Sequence, residues 1–278
     1  MPSYETPQPI NAVLEFEVGD VRLSASERQD TVVEVLPSNG AEEADVRAAQ
    51  QTEITYANGI LTLKGPRKRS LFGKTGSIDV IVELPAGSHI RGISPMGDYT
   101  GAGPLGECLV KTSLGDIRLD EATDVNLRTG HGDIHVGHVA GDAEIQGAGR
   151  VGVGAITGAA TVKNGNGETV IGEITGDLKA NASNGHITVG VARASVEARA
   201  ANGAISVKHV ERGVIGLHAA VGDVEIGIPE STAAWLDVSA KVGTVRNTLG
   251  TAEGPATTDR TVEVHARTGV GDIVIHRA

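Results

Sequence analysis

The residues Arg128 to Asp142, RTGHGDIHVGHVAGD, place three histidines and two aspartates in fifteen positions. His131, His135 and His138, with Asp133 and Asp142, are the residue types that hold zinc, which binds imidazole nitrogen and carboxylate oxygen at about 2.0–2.2 Å. Histidines four and three residues apart share a face when they stand on a helix. GDIHV instead alternates apolar Ile134 and Val136 with Asp133 and His135, which is strand periodicity. On a strand these histidines diverge, so they read as surface residues, and neither metal nor cofactor is expected.

Other constellations have equally plain readings. Asn166, Asn184 and Asn202 each stand just before a glycine, which suits a stacked asparagine ladder better than a ligand row. Arg128, Lys163, Arg199 and Arg267 lie four residues before their glycines, with Lys111 in the equivalent place. Stacked outward, they would line a weakly basic stripe and form a candidate interaction surface. GPRKRSLFGKTG, with Leu71 and Phe72 among four basic residues, reads as a hairpin tip and as a second candidate contact. No catalytic residue stands out. Glycosidase chemistry needs paired carboxylates at a suitable separation, and none occupy adjacent repeats. GAGRVGVG continues the strand repeat rather than opening a helix, so it is not a phosphate loop.

The elements that position these residues follow from an internal repeat. GDIRL begins at Gly115, GDIHV at Gly132, GRVGV at Gly149, GETVI at Gly167, GHITV at Gly185, GAISV at Gly203 and GDVEI at Gly222. Successive glycines are 17, 17, 18, 18, 18 and 19 residues apart. A second alternating segment (DVNLR, DAEIQ, ATVKN, DLKAN, SVEAR) falls between them, so each unit is strand, turn, strand, turn. Two short strands with one apolar face cannot bury it alone, and stacking successive units in register does so. The expected fold is a mostly β, right-handed parallel β-solenoid (β-helix) of about 17–19 residues per coil. Ile117, Ile134, Val151, Ile187, Ile205 and Val224 would form one core stack. Val125, Ile145, Val162, Leu178, Val196 and Ile215 would form the facing one. The aspartates after the repeat glycines would bond within their own turns. The chain reads as a single domain over 1–278. Irregular coils and a cap occupy 1–95, regular repeats 96–227 and irregular C-terminal coils 228–278. Ala41–Gln51 is the one convincing helix, with acids in its first turn.

Composition agrees with a thin core. Aromatic residues make up only 2% of the chain, so Val, Ile, Leu and Ala must fill the interior. A net charge of −11 disfavours nucleic acid and anionic membranes, which need clustered cations. Cys108 is the single cysteine and cannot form an internal disulfide. The N-terminus has no basic and apolar leader and no run reaches membrane-spanning length, so a cytoplasmic protein without membrane insertion is expected.

VGDVRLSASERQDTVVEV, SIDVIVELPAGS, TSLGDIRLD, NGNGETVIGEITGDLKANASNGHITV and GVGDIVIHR together resemble the adhesin-like β-repeat family of bacterial domains of unknown function. The resemblance runs from about Val13 to Arg277. It implies a β-solenoid with no known catalytic residues to carry over. The expected function is a non-catalytic interaction scaffold or binding module, the alternative being a carbohydrate-binding or carbohydrate-active β-helix. The expected partner is a protein, including a second copy. The chain finishes on the regular strand GDIVIHRA, whose open edge would support a homodimer.

Overall fold

The computed structural model describes residues 2–66, 75–230, 232–250 and 260–278. The chain forms two compact units, residues 1–140 and 141–278. Each unit is a parallel β-solenoid, in which a strand of one sheet turns into a strand of a second sheet and pairs with its counterpart one coil away. The only α-helix among the described residues is Glu43–Gln51, starting two residues later than expected. Glu43 and Asp45 occupy its first turn, where carboxylates suit the helix dipole.

The repeat glycines are required by both conformation and space. Gly115 and Gly132 have φ of 149° and 142°. A Cβ on Gly132 would lie 2.1 Å from the carbonyl oxygen of Gly115, and one on Gly115 would lie 2.1 Å from that of Gly97. Stacked coils therefore touch backbone to backbone at this corner, and any side chain would force them apart. The following aspartates work between coils, which corrects the expectation of bonds within one turn. Asp116 N–H donates to Asp98 Oδ1 at 2.8 Å, and Asp133 N–H donates to Asp116 Oδ1 at 2.8 Å. The same link joins Asp272 N–H to Asp223 Oδ1 in the other unit. A turn aspartate reaches the next coil because parallel strands stack only about 4.8 Å apart.

In residues 1–140, Val80, Val21, Tyr99, Ile117 and Ile134 form one buried row in the first sheet. Tyr99 is the one large ring in this row. It fits because Gly92 faces it: a Cβ there would approach within 2.4 Å of the ring. The Tyr99 hydroxyl meets Ser94 Oγ at 3.2 Å, and burial pushes its pKa up to about 12.

In residues 141–278 the first-sheet row is Val151, Thr169, Ile187, Ile205, Val224 and Ile273. Within each unit the expected stack thus holds, with Thr169 standing where GETVI lacks an aliphatic residue. The facing stack divides. Leu178, Val196 and Ile215 align with Ala160. Ile145 and Val162 belong to the next row, with Ala180, Ala198 and Leu217. A slip of two residues keeps every side chain on the same face, so alternation alone cannot distinguish the two rows.

Each unit also departs from chain order at its terminal coil. The first coil, Asn11–Glu15 with Gly19–Ser26, lies between the coil of Ile60–Lys64 with Ile78–Pro85 and that of His89–Met96 with Tyr99–Leu105. The last coil, Arg260–Val270 with Ile273–Arg277, lies between Gly213–Val221 with Val224–Ile228 and Thr232–Val242 with Val245–Asn247. This corrects the expected C-terminal edge. The strand in GDIVIHRA is paired on both sides, and the outermost strand of the second sheet is Thr232–Val242.

Candidate interaction surface

Outward side chains on the second sheet inherit the register of the buried ones. In residues 141–278 one row runs Gln146, Lys163, Asn181, Arg199, His218, Arg267 and Ser239. In residues 1–140, Lys111 and Arg128 are likewise in register. The basic positions therefore do stack within each unit. Leu71 and Phe72 lie outside the described residues.

The row does not act as a bare cationic stripe. The parallel row two residues earlier contains Lys179, Glu197, Gly216, His265 and Asp237. Glu197 receives Arg199 at 2.8 Å and Lys179 at 3.4 Å. Asp237 receives Arg267 at 2.6 Å and lies 3.5 Å from His265 Nδ1. Arg128 Nε donates to Asn126 Oδ1 at 3.3 Å. These partners are exposed, so each pair contributes little to stability, on the order of 0–1 kcal/mol. Their effect is to turn a basic row into a flat face of alternating charge. Gly216 leaves that face hollow, and Thr161, Lys179, Glu197 and Val214 border a shallow depression of about 520 Å³.

The asparagine ladder forms as expected: Asn184 Nδ2 donates to Asn166 Oδ1, and Asn202 Nδ2 to Asn184 Oδ1, each at 3.0 Å. Asn184, in the middle, thus spends both its donor and its acceptor on its neighbours. The three histidines do not converge. His131 ends the second-sheet strand Val125–His131, opposite Leu114. His135 and His138 stand on the first sheet opposite Arg118 and Glu121. Among the described residues, no three histidine, cysteine or acidic side chains are grouped to hold a metal ion.

Two features escaped sequence reasoning. Arg193 Nε donates to Glu173 Oε1 at 2.7 Å while its Nη1 donates to Glu211 Oε1, and Arg260 joins the same Glu211 at 2.9 Å. The glutamates hold the Arg193 pKa above its ordinary value. The available signal was coil-length spacing, 20 residues to Glu173 and 18 to Glu211. The second is a concavity of about 870 Å³ bordered by Val214, Trp235, Leu236, Leu249, Arg212 and Arg277. It lies against the outermost coil. Arg277 fixes its floor by donating to the carbonyls of Pro229 at 2.7 Å and Thr232 at 3.2 Å.

In-register parallel coils define a β-repeat protein of the solenoid class. The chain belongs to the Toastrack DUF4097 family, whose model matches residues 11–278. No curated protein is significantly similar to it. Among solved structures, it is similar to a "putative adhesin" from Parabacteroides distasonis ATCC 8503, at 14% identity and a TM-score of 0.43, covering 100% of this chain and 95% of that one. It is also similar to a "putative lipid binding protein" from the same organism, at 10% identity and a TM-score of 0.40, with coverage of 100% and 95%. A "putative cell adhesion protein" from Clostridium sporogenes ATCC 15579 is similar at 13% identity and a TM-score of 0.30, covering 100% and 98%.

Proposed function

We propose that this protein is a non-catalytic binding scaffold whose second-sheet face, centred on Lys163, Arg199 and Arg267, contacts a protein partner. The observation that supports this reading is the register of that face. Backbone pairing fixes the spacing of Lys163, Asn181, Arg199, His218 and Arg267, so little ordering remains to be done on binding. Rows of paired opposite charges suit a partner surface that is itself mixed in charge, because such a contact rewards register rather than net potential. The non-catalytic part is supported by where the two groups raised by burial lie. The Cys108 thiol and the Tyr99 hydroxyl, both pushed up to about 12 by burial, belong to the core and meet no solvent.

Affinity capture from the native host tests the reading with three baits: the wild type, Lys163→Glu with Arg199→Glu, and the first-sheet control Arg118→Glu. The expected result is one partner retained by the wild type and control and lost by the double variant, all three melting alike. Retention by the double variant, or equal loss from the control, overturns the assignment.

A further inference from the structure

We propose that Thr232–Val242 is a homodimerisation strand, which pairs antiparallel with the same strand of a second copy about a two-fold axis through Ser239. The strand is 11 residues long and pairs on one side with Arg260–Val270. Among the described residues nothing pairs with its other side. It contains no proline or bulge, two of the devices that blunt such an edge, and of the charged kind it carries only Asp237 and Lys241. Its core-facing Leu236, Val238 and Ala240 lie opposite Val264, Ala266 and Thr268, which are fully buried, yet they are themselves only half-buried. The coil therefore presents an incomplete core together with a row of backbone donors and acceptors. Val242, 62% exposed, extends that apolar edge.

The charges on the strand favour a second copy as occupant, and one register pairs them with opposite charges. A two-fold axis through Asp237 would oppose two carboxylates, and one through Lys241 would oppose two ammonium groups. An axis through Ser239 places Asp237 opposite the partner's Lys241, and by symmetry Lys241 opposite the partner's Asp237. The same register sets Leu236 against Val242 and Val238 against Ala240, so apolar side chains meet on one face and charges on the other. Two-fold pairing closes on itself and leaves no further edge of this strand to propagate a fibre.

Sedimentation across a wide concentration range tests the pairing on the full chain. The wild type is expected to be a concentration-dependent dimer. Lys241→Asp, which gives two carboxylates per strand, and Asp237→Lys, which gives two ammonium groups, should each weaken dimerisation by about tenfold or more, since every change is read twice. An equimolar mixture of the two variants restores both opposite-charge pairs and should recover the dimer, which distinguishes pairing from damage to the fold. Ser239→Cys should form an intermolecular disulfide under mild oxidation, with the buried Cys108 silent. A wild type that stays monomeric overturns the proposal. Variants that dimerise like the wild type, a mixture that stays monomeric, or no Ser239→Cys cross-link overturn it equally.

Discussion

Gly132→Ala isolates the backbone contact between coils. At φ of 142° an alanine is strained by about 1–3 kcal/mol. Its Cβ would sit 2.1 Å from the Gly115 carbonyl oxygen and 2.6 Å from its carbon. Both are backbone atoms, so relief requires the coils to separate locally by more than ~1 Å to restore an ordinary contact. That separation stretches the bond from Gly115 N–H to the His131 carbonyl, now 2.9 Å, and the bond from Asp133 N–H to Asp116 Oδ1, now 2.8 Å. Each contributes about 1 kcal/mol, somewhat more for the charged acceptor. The total is about 3–5 kcal/mol, which corresponds to a fall in Tm on the order of 10 °C. Gly40→Ala is the matched control, because nothing lies within 4 Å of its added Cβ. It should change stability by about 0.5 kcal/mol or less. Urea and thermal melts followed by far-UV circular dichroism decide the matter, and indistinguishable shifts for the two variants would refute the corner-contact argument.

Ile187→Asp should cost several kcal/mol by burying an unpaired carboxylate, about the upper range for single substitutions, whereas the outward Thr188→Asp should cost about 0.5 kcal/mol or less; equal melting shifts would sink the alternation. Asp272 has its pKa held below the ordinary carboxylate value, chiefly because Oδ1 accepts the Thr244 N–H at 2.8 Å. A depressed folded pKa gives stability that is present above the unfolded value, near ~3.9, and lost as pH falls through the folded one. Asp272→Asn keeps the acceptor but cannot titrate, so its urea midpoint should fall less steeply on acidification than the wild type's; parallel acid profiles would count against this link. Cys108, at a pKa of about 12 through burial and the neighbouring Glu107, should resist iodoacetamide in the folded protein and react only on unfolding. Rapid alkylation under native conditions would place the thiol outside the core.

The regular coils were legible because the glycine spacing and the two-residue alternation coincide in them, joined in three of the seven by a turn aspartate. Row assignment failed at Leu178 because a two-residue slip leaves the inward pattern unchanged, and only hydrogen-bond register distinguishes the alternatives. The basic row was legible as a row but not as a neutralised one. Arg199 and Arg267 lie four residues before their glycines, a feature the repeat displays. Glu197 stands two residues from Arg199 on the same strand, whereas Asp237 sits beside Arg267 only once the sheet exists. Arg193 was hidden for the same reason, since its two carboxylates come from the coils before and after it.

Chain order was the least legible feature, and it carries the most consequence. A repeat read along the sequence implies that the last coil is the outermost, which put the open edge at GDIVIHRA. The structure instead inserts the first coil, with its GDVRL, and the last, with its GDIVI, one place inward. The coils that best match the repeat are thereby paired on both sides, and the poorest matches take the exposed positions. What those outer coils do differs between the units. In residues 1–140 the outer strands turn back antiparallel, Asp30–Pro37 against Ile78–Pro85 and Glu53–Ala57 against Ile60–Lys64. The first sheet's outermost strand, Ser3–Glu5, is only three residues long, and Tyr4 meets Tyr56 of the second sheet's outermost strand with ring centroids 5.2 Å apart. That end is short-stranded and bridged by rings, which discourages further pairing. In residues 141–278 the outermost strand of the second sheet continues for 11 residues with half-buried core positions. One edge is closed by its own side chains, while the other has the length, half-buried apolar face and charge order that the proposed two-fold pairing requires.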